Sequence, residues 1–159
     1  MKEKSCCFTG HRNINKAILP KLKDCLVDNI VKLIEQGITD FYAGGAFGFD
    51  TLASLVIIKL KKTYPRVRLI LVLPCLNQTA KWKNEKDIEI YNKILSKADD
   101  IVYISNEYTD TCMLERNRYM VDNSSYCICY LNRTFGGTAY TYNYAKDKGS
   151  SIINLNVYI

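Results

Sequence analysis

Short apolar segments alternate with longer amphipathic segments along nearly the whole chain, and this alternation restricts the folds that the sequence can adopt. The short segments are typical of buried strands, whereas the longer ones carry apolar residues at helical spacing. Strands are predicted at residues 5–9, 41–43, 68–73, 101–104, 126–130 and 152–155. Helices are predicted between them at residues 19–36, 49–63, 88–98, 112–122 and 137–148. The pattern predicts an α/β fold: a Rossmann-like, doubly wound, mainly parallel sheet with helices on both faces.

Two prolines set expected boundaries within this pattern. Pro20 is tolerated only in a first helical turn, so the first helix is expected to begin near Leu19. Pro74 is expected to end the third strand, whose almost continuous apolar run is typical of a central parallel strand.

Length and composition indicate one globular domain over residues 1–159. Hydrophobic residues make up 48% and charged residues 24%, which argues against a disordered chain. No apolar run reaches the roughly 18 residues that span a bilayer, and the polar N-terminus lacks a signal-peptide core. We therefore expect a cytoplasmic protein with no membrane partner.

The cysteines favour reduced, buried thiols over a disulfide framework or a metal site. The chain has seven cysteines, no CxxC pair and a single histidine, so neither an even disulfide set nor a zinc set is complete. We expect no bound metal and no cofactor.

Three glycine-marked segments follow predicted strands: TGHR at 9–12, GGAFGFD at 44–50 and FGGT at 135–138. In a doubly wound sheet, ligands bind outside the carboxyl ends of the strands. Glycine lets the backbone approach a ligand, and a helix N-terminus favours a phosphate or carboxylate. Neither a G-x-G-x-x-G dinucleotide fingerprint nor a Walker lysine is present. The glycines expected to contact the ligand are Gly10, Gly44, Gly45, Gly48, Gly136 and Gly137.

Five motifs, CCFTGHR, GGAFGFD, LPCLNQTAKW, MLERNRYMVDNSS and FGGT, together resemble the SLOG superfamily and its YpsA-like branch. This superfamily joins the DNA-processing protein DprA and the LOG phosphoribohydrolases. The resemblance covers nearly the whole chain, with the motifs in the family's order. It implies a Rossmann-like sheet, a pocket for a nucleotide or nucleotide-derived molecule, and a homodimer. The leading hypothesis is a cytoplasmic protein that binds such a ligand, as a sensor or regulator.

The LOG enzymes suggest an alternative, hydrolysis of a nucleotide derivative. Met113, Arg116 and Met120 are similar to their M-x-x-R-K-x-x-M helix, with Asn117 at the lysine position. Their P-G-G-x-G-T-x-x-E motif is shortened here to FGGT, and no acid follows before Asp147. Cleavage of an N-glycosidic bond needs a carboxylate, so an enzyme of this kind would have to take it from elsewhere. Whether the chain is an enzyme stays open at this point.

Asp50 and His11 are the candidate catalytic residues if the chain is an enzyme. Asp50 lies in the first turn of the helix after the second glycine segment, where the helix N-terminus is expected to lower its pKa. His11 would supply acid–base chemistry, and Arg12 beside it can form a forked contact with a phosphate. The alternatives are a helix-dipole partner for Asp50 and a surface position for His11.

Further ligand contacts are expected from Gln78 and Trp82, from Arg116 with Asn117, and from Thr138. Gln78 and Trp82 match the Q-x-x-x-W of the YpsA-like branch, and an indole can stack on a base or anchor the following helix. Arg116 suits an anion or a surface ion pair. Thr138 suits a helix N-cap or a hydroxyl donor to the anion.

The net charge of +6 is concentrated in residues 1–23 and 59–68. Basic segments attract nucleic acid, but cations at a helix end are more often solvated partners of the dipole. Single-stranded DNA binding of the DprA kind is therefore a third hypothesis, and nucleic acid is not the expected partner.

Overall fold

Across the described residues, 2–159, the computed structural model contains six strands in one sheet. They are β1 (Ser5–Gly10), β2 (Asp40–Ala43), β3 (Arg68–Cys75), β4 (Asp100–Ser105), β5 (Tyr126–Tyr130) and β6 (Ser151–Asn154). Their order across the sheet is β4-β3-β2-β1-β5-β6, and every adjacent pair is parallel. The predicted α/β, Rossmann-like fold is confirmed.

Helices cover both faces of this sheet. They are α1 (Leu19–Glu35), α2 (Phe49–Leu60), α3 (Glu85–Lys97), α4 (Cys112–Asp122) and α5 (Gly137–Asp147), with 3₁₀ turns at Lys2–Lys4 and Leu155–Tyr158. Side chains alternate between the two faces of a strand. In β1, Phe8 therefore packs in the core that α1, α2 and α3 cover, whereas Cys7 packs in the core beneath α4 and α5.

The order of the strands reverses between β1 and β5. The chain moves outward from β1 to β4, and α4 then returns it to β5 on the other side of β1. Because such crossovers are right-handed, the two halves place their helices on opposite faces. A crevice is expected at the carboxyl ends of β1 and β5, which is where ligands bind in such folds.

Pro74 does not end the third strand, so that prediction is wrong. β3 continues to Cys75, which pairs with Ser105 of β4. β2 ends opposite Leu71, so Pro74 lies where β3 has a neighbour on one side only. A missing N–H is tolerated at such an edge.

Six of the seven cysteines are buried, Cys25 is half-buried, and all are free thiols within the described part of the chain. This agrees with their predicted role as small apolar residues. Over residues 2–159, no helix has the length and apolar character to span a membrane.

Candidate functional site

The three glycine-marked segments meet at the carboxyl edge of the sheet. Together with α4 they enclose a cavity of about 530 Å³. Its lining includes three arginines and one carboxylate, so we call it the arginine cavity. The residues that define it are His11, Arg12, Asp50, Arg116, Asn132, Arg133 and Thr138.

His11 follows β1 and is held in place by the loop after β5. Its side chain is 5% exposed, and its Nε2 accepts a hydrogen bond from the backbone N–H of Asn132 at 3.1 Å. The imidazole also meets the Tyr130 ring edge-on, with 5.6 Å between ring centres. Burial lowers the pKa of His11, and the nearby positive charge of Arg133 lowers it further. His11 is therefore neutral at pH 7, and its buried Nδ1 has no partner among residues 2–159.

Gly44 lies between the two buried charges of the site. Arg116 donates from Nη1 to the Gly44 carbonyl oxygen and from Nε to Asn117 Oδ1, the latter at 2.8 Å. Asp50 Oδ2 accepts from the backbone N–H of Ala46 at 3.3 Å. A Cβ on Gly44 would lie 2.6 Å from Arg116 Nη1 and 2.9 Å from Asp50 Oδ2. Only glycine leaves both side chains in place here.

Burial controls the ionisation of this pair. Burial raises the pKa of Asp50, although the positive charge of Arg116 and the Ala46 N–H oppose the rise. Burial likewise lowers the pKa of Arg116, against the attraction of Asp50. The predicted lowering of the Asp50 pKa by the helix N-terminus is wrong, because desolvation outweighs the favourable contacts.

Gly48 joins the second glycine segment to the end of β1. It has φ +73° and forms the N-cap of α2, and the following Phe49 N–H donates to the His11 carbonyl at 3.1 Å. A Cβ on Gly10 would lie 2.4 Å from the Phe49 ring, and one on Gly45 would lie 2.5 Å from Leu73. These glycines allow the loops to pack against each other.

The third glycine-marked segment, FGGT, forms the N-terminus of α5 beside the arginine cavity. Gly136, with φ +94°, occupies the N-cap, and no side chain of the described residues caps this helix end. The N-cap alternative for Thr138 is wrong, since Thr138 is the second residue of α5, but Thr138 still lines the cavity. A Cβ on Gly137 would meet no atom within 4 Å in the described part of the chain. A ligand can therefore approach the backbone of Gly137 closely.

Asn132 and Arg133 were not anticipated as site residues. Asn132 fixes His11, and the Arg133 guanidinium lies over the Phe135 ring, 5.0 Å from its centre. Both residues lie in the short segment between β5 and the FGGT motif. Their position between a strand end and a glycine motif is the sequence feature that could have identified them as site residues.

A second cavity of about 360 Å³ adjoins the first. We call it the aromatic cavity, because its lining includes Phe47, Gln78, Trp82 and Tyr108. The Trp82 ring lies 4.0 Å from the Phe47 ring, centre to centre. Gln78 Oε1 accepts from the Tyr91 hydroxyl at 3.1 Å. The two cavities share Arg12, Ala46 and Met113 in their linings.

Residues 6–157 match the model of the family described as the YspA SLOG family. The chain belongs to this family. The predicted SLOG resemblance and its YpsA-like branch are thus confirmed. The chain is 30% identical over 139 residues to the uncharacterized SPbeta prophage-derived protein YoqJ of Bacillus subtilis, covering 79% of this chain and 81% of YoqJ. It is 33% identical over 105 residues to a UPF0398 protein of Halalkalibacterium halodurans, covering 65% of this chain but only 55% of that relative.

Two solved DprA structures share the fold of this SLOG-family chain. The Streptococcus pneumoniae protein has a TM-score of 0.66 and 14% identity, covering 93% of this chain and 48% of its own. The Helicobacter pylori protein, described with its single-stranded DNA binding mode, has a TM-score of 0.65 and 17% identity, covering 93% and 63%. At these identities the likeness shows the fold alone.

The predicted site residues of this SLOG-family chain fall into three groups. The arginine cavity is lined by Gly10, His11, Arg12, Asp50, Arg116, Asn117, Gly137 and Thr138. The loops that frame it contain Gly44, Gly45, Gly48 and Gly136. Gln78 and Trp82 line the aromatic cavity.

Proposed function

We propose that this protein binds a nucleotide-derived ligand across the two cavities and acts as a sensor or regulator. The observation that carries the proposal is the junction of a cationic cavity with an aromatic one through Arg12, Ala46 and Met113. Nucleotides have the same division, with an anionic phosphate at one end and a flat base at the other. We place the phosphate in the arginine cavity and the base in the aromatic cavity.

The phosphate site combines a helix N-terminus with guanidinium groups. The first N–H groups of α5 and its dipole favour an anion beside Gly137. Arg116 supplies a buried cation from α4, and Arg133 supplies a second cation from the loop before α5. Guanidinium groups bind phosphate oxygens through paired N–H donors.

The base site is built from rings on three loops, which follow β2, β3 and β4. Trp82 and Phe47 lie against each other in the lining, and Tyr108 is 62% exposed at the same cavity. Stacking on aromatic side chains contributes about 1–3 kcal/mol per base and tolerates different bases. Gln78 adds an amide beside these rings.

Native mass spectrometry against a panel of nucleotide metabolites tests the proposal, followed by calorimetry with adenosine 5′-monophosphate and adenosine. We expect the monophosphate to bind more tightly, because adenosine leaves the arginine cavity empty. Equal affinities would contradict the phosphate assignment.

Gly137→Val supplies a matched test of the same site. The free protein accommodates the added side chain, but the ligand phosphate does not. We expect at least a tenfold loss of affinity, equivalent to about 1.4 kcal/mol. Thr63→Val, at the opposite edge of the sheet, is the control and should bind normally. Unchanged affinity in Gly137→Val would exclude this helix end as the anion site.

One observation favours hydrolysis as the second candidate. Asp50 is a buried carboxyl with a raised pKa that lines the arginine cavity beside Arg116. A perturbed carboxyl in a cavity is a candidate catalytic group. Loss of turnover with retained binding in Asp50→Asn would support an enzyme. Binding without turnover in both the natural protein and this variant would leave the sensor.

Two further partners are candidates: a second copy of this chain and nucleic acid. We propose a homodimer on the family resemblance alone, to be tested by analytical ultracentrifugation. For nucleic acid, the two basic segments meet only in part: Lys4 and Arg66 line one cavity at the amino edge, whereas Arg12 lies at the carboxyl edge. Affinity for an oligonucleotide that falls steeply with salt would revive this candidate.

A further inference from the structure

We propose that His11 is fixed as the neutral tautomer protonated at Nδ1, and that this N–H donates to an acceptor oxygen of the ligand. The inference rests on the proposed function for its ligand. It assigns His11 to hydrogen-bond recognition in the arginine cavity and not to proton transfer.

The tautomer follows from one hydrogen bond. A backbone N–H can only donate, so Nε2 of His11 must offer a lone pair to the Asn132 N–H that lies 3.1 Å away. A neutral imidazole carries one ring proton, which is then on Nδ1. The loop after β5 thus selects the tautomer of a side chain that follows β1.

The surroundings oppose a charged imidazole. Protonation of Nε2 would turn two donors, the ring N–H and the Asn132 N–H, toward each other. Arg133 places a positive charge near the ring, Arg12 is the next residue in the chain, and the planes of the Tyr130 and His11 rings are inclined by 75°. Within residues 2–159, the one carboxyl in the lining of the arginine cavity, Asp50, is not among the groups that shift the pKa of His11. His11 is therefore unsuited to deliver a proton to a leaving group.

The Nδ1–H is a buried donor without a partner in the described part of the chain. Buried polar groups are nearly always paired, and an exception in a cavity-lining residue suggests that a ligand supplies the acceptor. Thr138 and the N-terminus of α5 line the same cavity. An oxygen of the phosphate or of the adjoining ribose provides the acceptor that His11 lacks.

Nitrogen-15 NMR of the untagged protein reads the tautomer directly. The chain has one histidine, so every imidazole signal belongs to His11. We expect a protonated Nδ1 and an unprotonated Nε2 in the free protein from neutral pH down to below pH 6.5, the ordinary histidine pKa. A protonated Nε2 at neutral pH would overturn the inference.

Titration with inorganic phosphate and with adenosine 5′-monophosphate tests the contact to the ligand. We expect the Nδ1–H signal to shift on binding of the nucleotide. Movement with phosphate as well would assign the acceptor to the phosphate, and movement with the nucleotide alone would assign it to the ribose. Binding of the nucleotide without any movement would overturn the inference and leave the proposed function intact. If neither probe binds, the proposed function and the ligand contact both fail, whereas the tautomer measured in the free protein stands.

Two substitutions separate the ring nitrogens. His11→Asn keeps an amide N–H near the position of Nδ1, whereas His11→Gln keeps an acceptor near that of Nε2. We expect about tenfold weaker nucleotide binding for His11→Gln and a much smaller loss for His11→Asn, the size of one net hydrogen bond. A merely structural role would reverse this order, since His11→Gln preserves the contact to Asn132. Thermal unfolding of both variants confirms that each one is folded.

Discussion

At the carboxyl edge of the sheet, Arg116 and Asp50 are 4% and 6% exposed, whereas at the amino edge Lys61 and Arg68 keep 34% and 48% of their side-chain surface. The exposed cations have simple partners. Lys61 pairs with Asp99, and Arg68 Nη1 lies 3.6 Å from a carboxylate oxygen of Asp40.

The buried charges at the carboxyl edge are held by backbone groups instead: Arg116 donates to the Gly44 carbonyl, and Asp50 accepts from the Ala46 N–H. Desolvation of ions opposes folding, and apolar residues of similar volume often stabilise a fold better than a buried ion pair. The chain nevertheless places Asp50 and Arg116 against a glycine that only just accommodates them. Retaining such charges beside a cavity is typical of a functional site.

The largest effect is expected from Gly44→Val. The added side chain must displace Arg116 or Asp50, so the free energy of unfolding should fall by about 2–3 kcal/mol, as overpacking usually causes. Gly137→Val, the same change in open space, should leave stability nearly unchanged. Urea denaturation measures both. Equal stabilities would mean that the packing around Gly44 is looser than the distances indicate.

Arg116→Met comes next and acts on binding. Loss of a buried, hydrogen-bonding cation at the phosphate should weaken nucleotide affinity by about 100-fold. Arg68→Met removes an exposed cation at the amino edge and should change affinity and stability very little. Calorimetry of the two variants compares the edges, and similar losses would remove the distinction between them.

Asp50→Asn should show how much the ionisation of Asp50 contributes to the pH dependence of stability. Because the folded-state pKa of Asp50 is raised, the folded protein holds this proton more readily than the unfolded chain does. The natural protein therefore loses stability as pH rises from 3.8 through the folded-state pKa, and the variant lacks this loss. Urea denaturation across acidic to neutral pH should show the variant gaining relative stability. A constant difference would mean that the carboxyl is not perturbed.

The smallest expected effect is the contribution of His11 to the pH dependence of stability. Its pKa is lowered, so the unfolded chain takes up a proton below pH 6.5 while the folded protein resists it. Stability should fall as pH decreases through this window, and His11→Asn should lack that slope. The other groups are common to both proteins, so the difference in slope isolates the imidazole. Parallel curves would show that His11 accepts a proton freely in the fold.

Local pattern predicted most of the fold. The spacing of apolar residues placed α4 at Cys112–Asp122 and β5 at Tyr126–Tyr130, as found in the structure. The strand through Pro74 was mispredicted because its tolerance depends on where β2 ends, which is a property of the neighbour. The spacing of apolar residues within one strand cannot predict a strand end that depends on the length of the neighbouring strand.

The candidate site was predictable as a set of loops but not as a set of interactions. Glycine after each strand indicated that 9–12, 44–50 and 135–138 meet at one edge. The raised pKa of Asp50 arises from desolvation by the assembled fold. The contact between Asn132 and His11 joins residues 121 positions apart in the chain. Desolvation of a side chain and hydrogen bonds between distant residues arise only when the fold brings the loops together.

The packing of Trp82 gives the protein a built-in optical reporter. The chain has one tryptophan, which contacts the rings of Phe47 and Tyr91 beside the aromatic cavity, with ring centres 4.0 and 5.1 Å apart. Indole emission depends on the polarity and motion of its surroundings. Tryptophan fluorescence of the unlabelled chain, excited selectively over that of the twelve tyrosines, therefore reports on the aromatic cavity. A molecule that fills only the arginine cavity should leave the emission unchanged, so the occupancy of each cavity can be followed separately in solution.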